Sequence, residues 1–291
     1  MPRTIPAKTI LSKVKNGPDP WFGISYNMNL YRGCQHQCIY CDSRSECYQL
    51  DDLADIRLKE NALQILEKEL KSKKSRGTIG FGSMNDPYMP VEKNEELVRG
   101  ALKLLIRFNF PAHILTKSNL ITRDIDLLQQ LSKNYAAASL TITTADNELA
   151  KIIEPGAPLP SQRFDAIQQL AGAGIYTGVM LMPLLPFIND EPDDVERLII
   201  RSKEAGAKYI LFSPGLTLRK GSREYFYEKL DQHFPGIKQK YIVEYGDKYS
   251  CLSKQANSLV ATVSGLCKKL GLLTKMDFFE ENKANQLSIS F

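Results

Sequence analysis

Paired metal-binding motifs are scarce in this sequence of 291 residues. Apart from Cys34, Cys38 and Cys41, the cysteines Cys47, Cys251 and Cys267 and the histidines His36, His113 and His233 form no second C-x2-C and no H-x3-H. A zinc knuckle built from two such pairs is therefore excluded, and the C-terminal region gives no sign of an auxiliary iron-sulfur cluster. A knuckle completed by His36 or Cys47 stays open, because three cysteines with a histidine make a legitimate tetrahedral set. Disulfide frameworks belong to short secreted chains, which this one is not. No apolar run approaches the roughly 20 residues that cross a bilayer. The opening Met-Pro-Arg-Thr-Ile-Pro lacks the apolar core of a signal peptide, so a cytoplasmic location without a membrane partner is expected. Charge is modest: a net +5 and a pI near 8.7 fall short of the pI above about 9 that marks a nucleic-acid-binding domain by itself.

What is present is the run Leu30-Tyr-Arg-Gly-Cys34-Gln-His-Gln-Cys38-Ile-Tyr-Cys41, with spacing C-x3-C-x2-C. A closed structural zinc takes four protein ligands, and a four-iron cluster used only for electron transfer takes four thiolates. Three close thiolates without a nearby fourth leave one iron free to bind and activate a ligand. The spacing therefore points to a reactive cluster.

Periodicity along the chain alternates strand with helix. Short apolar runs at 26–31, 78–82, 112–116, 136–143, 176–182 and 208–212 read as buried parallel strands. Between them lie amphipathic helices, with Leu63, Leu66 and Leu70 on one face, Leu97, Ala101, Leu104 and Phe108 on another, and Val195, Leu198 and Ile199 on a third. The lysines at 68–76 read as the solvated end of a helix. The predicted fold is α/β, an incomplete (β/α)6 TIM-type barrel with a helical C-terminal extension. Residues 1–221 would form the barrel with a lead-in at 1–24, and 222–291 an extension packed on its open side. Cys267, on an apolar face with Leu259, Val263, Leu266 and Leu270, is expected in the core. In such a fold, chemistry gathers where strand C-termini meet the following loops, and the cysteine loop follows the first strand.

Three stretches together carry a family resemblance: 29–41, the segment Gly82-Ser-Met-Asn-Asp-Pro-Tyr-Met-Pro-Val-Glu92, and Glu154-Pro-Gly-Ala-Pro158 followed by Arg163. The chain resembles the radical S-adenosylmethionine (SAM) enzymes, in the branch related to spore photoproduct lyase and often labelled DNA-repair photolyase-like, over roughly residues 5–220. The resemblance implies one 4Fe-4S cluster on Cys34, Cys38 and Cys41, with SAM chelating the open iron. Reductive cleavage would then yield methionine and a 5'-deoxyadenosyl radical that abstracts hydrogen from a substrate. It also implies an external electron donor such as flavodoxin or ferredoxin, and it makes DNA or RNA the leading substrate class by association.

Within that frame, Lys117 and Ser139 are the expected partners of the methionyl carboxylate, Asn85 and Asp86 of the ammonium, and Ser83 lies with them at the end of the second strand. Tyr40, before the third cysteine, would lie beside the adenine. Asp86-Pro87 also starts a turn without any ligand, and Glu154 and Arg163 read as a structural ion pair near the barrel mouth. Spore photoproduct lyase quenches its product radical with a cysteine near the end of its second strand. Ser83 occupies the comparable run here and is a poor hydrogen-atom donor. Cys47, Tyr88 or recycled 5'-deoxyadenosine would fill that role, or the reaction differs from thymine-dimer reversal, the reading preferred here. The alternative from another class is a noncatalytic zinc-binding or redox-sensing regulatory protein.

Overall fold

A strand covered on both faces must be apolar at nearly every position, and parallel neighbours need a helix to carry the chain back. The computed structural model, which describes residues 2–50 and 52–281, shows this arrangement. In chain order the first strands are β1 (Arg3–Ile5), β2 (Leu11–Lys13), β3 (Ile24–Met28), β4 (Tyr31–Arg32) and β5 (Arg57–Lys59). Strand and helix then alternate through α1 (Ala62–Ser72), β6 (Thr78–Phe81), α2 (Glu92–Glu95), α3 (Leu97–Phe108), β7 (Ala112–Thr116), α4 (Ile125–Ser132) and β8 (Ala136–Thr141). The alternation continues with α5 (Asn147–Ile153), α6 (Pro160–Gly172), β9 (Tyr176–Leu181), α7 (Pro192–Glu204) and β10 (Tyr209–Phe212). Beyond these come β11 (Gly215–Thr217), α8 (Ser222–His233), α9 (Ile237–Tyr245), β12 (Ser250–Leu252) and α10 (Ala256–Leu270).

Among the described residues, seven strands make the main sheet in the order β10-β9-β8-β7-β6-β3-β2. From β3 to β10 every neighbour is parallel, and β2 closes one edge antiparallel to β3. The fold is thus α/β with a mostly parallel central sheet. Alternate side chains divide between two cores. Ile79, Phe81, Ile114, Leu140, Val179 and Ile210 pack into the helix-covered core, whereas Ala137, Met180, Tyr209 and Leu211 point to the other face and meet Met276. That second face is narrow at Gly178, where a Cβ would lie 2.2 Å from the Tyr209 ring.

Two expectations need correction. The first predicted strand, 26–31, is broken after Met28. Leu30 O accepts from Lys59 N, and β4 pairs with β5 in a separate three-stranded sheet ordered β1-β5-β4. The region after 221, expected to be helical, also contains β12, which pairs antiparallel with β11. Gly215 permits the contact, since a Cβ there would fall 2.3 Å from Cys251 O. Three residues of Ser-Cys-Leu are too short to show strand periodicity. Helix α10 places Leu259, Val263 and Cys267 in the helix-side core, and the bond from Ile210 N to Leu273 O covers part of the β10 edge. Residues 282–291 of the predicted extension lie outside the described residues.

Candidate functional site

The cysteine loop is fixed by backbone contacts before any metal enters. Gly33 turns with φ +83°, and a Cβ there would lie 2.7 Å from Asp55 O. Cys34 N donates to Leu53 O at 2.7 Å, Ile39 N to Ile153 O at 3.0 Å, and Gly156 N to His36 O at 2.9 Å. Gly156 approaches so closely that a Cβ would sit 2.1 Å from Gln35 O. The Glu154-to-Pro158 run therefore staples the loop. Behind it, Arg163, 0% exposed, lies 2.6 Å from Glu154 Oε2 and donates to Thr141 O at 2.9 Å and Pro158 O at 2.7 Å. The Tyr40 hydroxyl donates to the other Glu154 oxygen. Burial opposes ionisation of Glu154, but Arg163 and Lys117 outweigh it and hold the carboxyl below its usual range.

Cys34, Cys38 and Cys41 are free thiols, the first two buried, and all three line one cavity of about 410 Å³, within the roughly 300–1,000 Å³ of small-molecule pockets. Burial pushes the Cys34 thiol up to about 11, and Cys38 higher still. Thiols so placed ionise when a metal compensates them. Among the described residues no three His, Cys, Asp or Glu side chains are gathered tightly enough to hold a single ion. A four-iron cluster instead gives each of three cysteines its own iron. Lys117 supplies a further indication of fit. Its ammonium is 5.7 Å above the Tyr40 ring and forms no ion pair among the described residues. Burial works against its charge, but Cys38 and Glu154 more than offset this and raise its pKa. A cation beside the thiols that forms no close ion pair among the described residues suits a carboxylate ligand.

Of the residues singled out from sequence, the cavity gathers Cys34, Cys38, Cys41, Tyr40, Ser83, Asn85, Asp86 and Lys117. Not all are available to a ligand. Asp86 already accepts from Thr116 Oγ1 and Lys117 N, both at 2.6 Å, and from Tyr88 N at 2.9 Å, so it ties β6 to β7 rather than offering itself to an ammonium. Asn85 Nδ2 donates to Tyr31 O at 2.6 Å. Ser83 Oγ sits near the rim, 3.5 Å from Asn29 Oδ1.

Three residues fall elsewhere. Ser139 is two positions short of the end of β8, and its hydroxyl is shared by His113 Nε2 at 2.8 Å and the Tyr209 hydroxyl at 2.7 Å. Thr141, one alternation further, lines the cavity in its place. Tyr88 is fully buried and donates to Asp124 Oδ2 at 3.0 Å, facing the core around Glu92 and Arg123. Cys47 is exposed, outside the cavity lining, within 2.9 Å of Ser45 Oγ and 3.3 Å of Arg219 Nη1. Those two contacts lower its pKa, the Ser45 bond most. Neither Thr116 nor Thr141 was given a role of its own from sequence, and the β11–β12 ribbon, whose Leu216 and Leu252 line the cavity, was not foreseen. The alternation that places Ser139 inward also places Thr141 inward, and that signal was sufficient to find it.

The sequence profile described as the radical SAM superfamily matches residues 28–199. The chain belongs to the radical SAM superfamily. An uncharacterized protein of Methanocaldococcus jannaschii, MJ0683, is 34% identical over 216 residues, which are 73% of this chain and 78% of that one. An uncharacterized protein of Mycobacterium tuberculosis, Rv2578c, is 31% identical over 242 residues, 80% of this chain and 70% of that one. In fold, the radical SAM chain is similar to a solved spore photoproduct lyase mutant with bound AdoMet and dinucleoside spore photoproduct. The TM-score is 0.69 at 15% identity, covering 93% of this chain and 81% of that one.

The network under the cavity has a pH signature. Burial alone lowers the His113 pKa from 6.5 to about 4, so the folded state holds a neutral imidazole where the unfolded chain takes up a proton. Stability should be complete above pH 6.5 and should fall by about 3 kcal/mol as the pH drops from there to about 4. Urea unfolding across that range should lose this component in His113→Gln, which can still bond Ser139. An unchanged slope in the variant would contradict the assignment.

Proposed function

We propose that this chain is a radical SAM enzyme on a partial barrel of six β/α units, with 1–221 as the catalytic part and 222–291 as its cover. Cys34, Cys38 and Cys41 would hold one 4Fe-4S cluster. The observation that carries this reading is three free thiols on one stapled loop, lining one cavity with Lys117, whose ammonium forms no ion pair among the described residues. Bound there, the cluster supplies an open iron and one electron for cleaving SAM to methionine and a 5'-deoxyadenosyl radical. The protein's share is positional. Lys117 neutralises the methionyl carboxylate, and the loop after β6, through Ser83 and Asn85, presents polar groups beside it. The Tyr40 ring is left for the adenine, its hydroxyl being held by Glu154. Buried walls around Cys38, Thr116 and Thr141 exclude water, and with it the competing loss of a reactive radical.

The β11–β12 ribbon and Tyr48 line the cavity, and the exposed Leu252 marks the side from which substrate would enter. Cation-aromatic pairs stand in the adjoining segments, Arg219 over Tyr249 at 5.0 Å and Arg44 over Tyr225 at 3.7 Å. They support DNA or RNA as substrate, which combines phosphates with flat bases. Electrons would come from an external carrier such as flavodoxin or ferredoxin. Of the hydrogen donors read from sequence, Tyr88 is buried against Asp124 and Cys47 is outside the lining, which supports recycled 5'-deoxyadenosine or, the preferred reading, a reaction other than thymine-dimer reversal.

Two outcomes are expected. Anaerobic reconstitution should give a brown protein with about four irons per chain that forms 5'-deoxyadenosine under dithionite. Cys34→Ala, Cys38→Ala and Cys41→Ala should each lose the cluster, and Cys267→Ala should keep it. A colourless protein with one zinc and no cleavage would establish the noncatalytic alternative instead. Binding to single-stranded DNA or RNA should weaken steeply with added salt, and affinity indifferent to salt would remove nucleic acid as the substrate class.

A further inference from the structure

Cleaving SAM by the reading above consumes one electron each time. Beyond the three cluster cysteines, Cys47, Cys251 and Cys267 are free thiols in separate segments, so among the described residues nothing stores that electron. It must enter from another molecule, which needs a place to dock.

A groove of about 530 Å³ runs along the open edge of β10, walled by Trp21, Leu211, Phe212, Val260, Val263 and Phe278. Leu273 pairs with this edge at Tyr209 and Ile210, and side chains wall the rest. Trp21 and Val260 are 48% exposed and Phe278 40%, so large apolar groups face solvent together. Exposed apolar clusters of this kind mark interaction sites. The groove also adjoins the catalytic cavity. Leu211 and Phe212 line the groove, and the chain passes from them directly to Ser213, Gly215 and Leu216, which line the cavity. Met182 lines the cavity too and packs on the cluster of Met180, Leu211 and Met276, so one apolar layer connects the two.

Lysines surround the groove. Lys275 lines it, and Lys208 O accepts from Leu273 N at 2.9 Å. A Cβ on Gly271 would lie 4.0 Å from Lys203 Nζ, which brings the last turn of α7 beside Lys268 and Lys269 at the end of α10. These lysines are exposed and form no ion pair among the described residues. The acids of the same segments are fewer: Glu204, Asp277 and Asp19, the last accepting from Trp21 N and Phe22 N. An apolar centre inside a charged rim is the anatomy of a protein interface. A phosphate backbone laid here would have to cross the apolar walls, where its charges gain nothing.

We propose that the groove at the β10 edge docks an acidic electron-carrier protein, its apolar contact face seated between Trp21 and Phe278 and its carboxylates against the lysine rim. The carrier gives up one electron per SAM cleaved, and no atom is exchanged. The proposal rests on the reading that this chain is a radical SAM enzyme with a reducible cluster.

The test compares two electron sources on the full-length, iron-reconstituted chain. Reduced flavodoxin, as the acidic carrier, must dock; dithionite, a small molecule, need not. In the triple variant Lys203→Gln, Lys268→Gln, Lys269→Gln, the flavodoxin concentration giving half-maximal 5'-deoxyadenosine formation should rise roughly tenfold, because rim charges steer association. The rate with dithionite and the iron content should match wild type. Trp21→Ala should behave in the same way. Trp21 is the single tryptophan of the chain, so 5-fluorotryptophan gives one fluorine resonance at the groove, which should shift when flavodoxin is added. Unchanged half-saturation in both variants overturns the proposal, as does a resonance indifferent to flavodoxin or a wild type that draws electrons from dithionite alone. A resonance that moves instead with single-stranded DNA, or with protein concentration alone, gives the face to nucleic acid or to a second copy and overturns it too. A wild type that takes up no iron or forms no 5'-deoxyadenosine with dithionite removes the underlying reading, a result distinct from these.

Discussion

Everything at this site depends on keeping a loop of buried thiols in one shape without help from the ligands it would hold. The Glu154–Arg163 pair, completed by the Tyr40 hydroxyl, does this from behind. Such a pair is weak evidence for net stability, because desolvating two charges offsets much of their attraction. Removing either partner, however, leaves an uncompensated buried charge and costs about 3–5 kcal/mol. The pair therefore acts as a constraint on geometry. It fixes α5 and α6 against the C-terminal end of β8 through Thr141 O, and Gly156 and Ile153 pass that constraint to the backbone of the cysteine loop.

Asp86 provides the matching constraint on the opposite side. One carboxylate joins the loop after β6, the end of β7 and the cysteine loop through His36. Lys117 follows directly on β7, and its ammonium is directed to the cavity while its amide is used by Asp86. Backbone and side chain of one residue thus serve two purposes, fixing the wall and charging it. The reluctance of Cys34 and Cys38 to ionise and the lack of a close ion pair at Lys117 among the described residues are complementary: each is relieved by a group that enters the cavity, not by a change in the protein.

How much of this was legible in the sequence depends on the length scale of each signal. Strands β6 to β10 declared themselves because both faces are buried, and the helices because their apolar stripes recur over several turns. The cysteines were legible from spacing alone. Ser139 was misplaced because a serine in an apolar strand looks functional, while the structure shows its hydroxyl satisfied by His113 and Tyr209, residues far away in sequence. Tyr88 was drawn inward by Asp124, a partner 36 positions on. The β12 strand was missed because three residues carry no period, and its partner β11 is separated from it by two helices. His36 appeared only as a substitute zinc ligand, since nothing in sequence shows that Asp86 faces one of its nitrogens.

The central claim is that three cysteines leave a coordination position for SAM. Mössbauer spectra of the iron-reconstituted chain, taken with and without SAM, test it most directly. The account predicts that a single iron site changes its isomer shift when SAM is added while the others stay as they were. Irons that are all equivalent and unresponsive to SAM would contradict it.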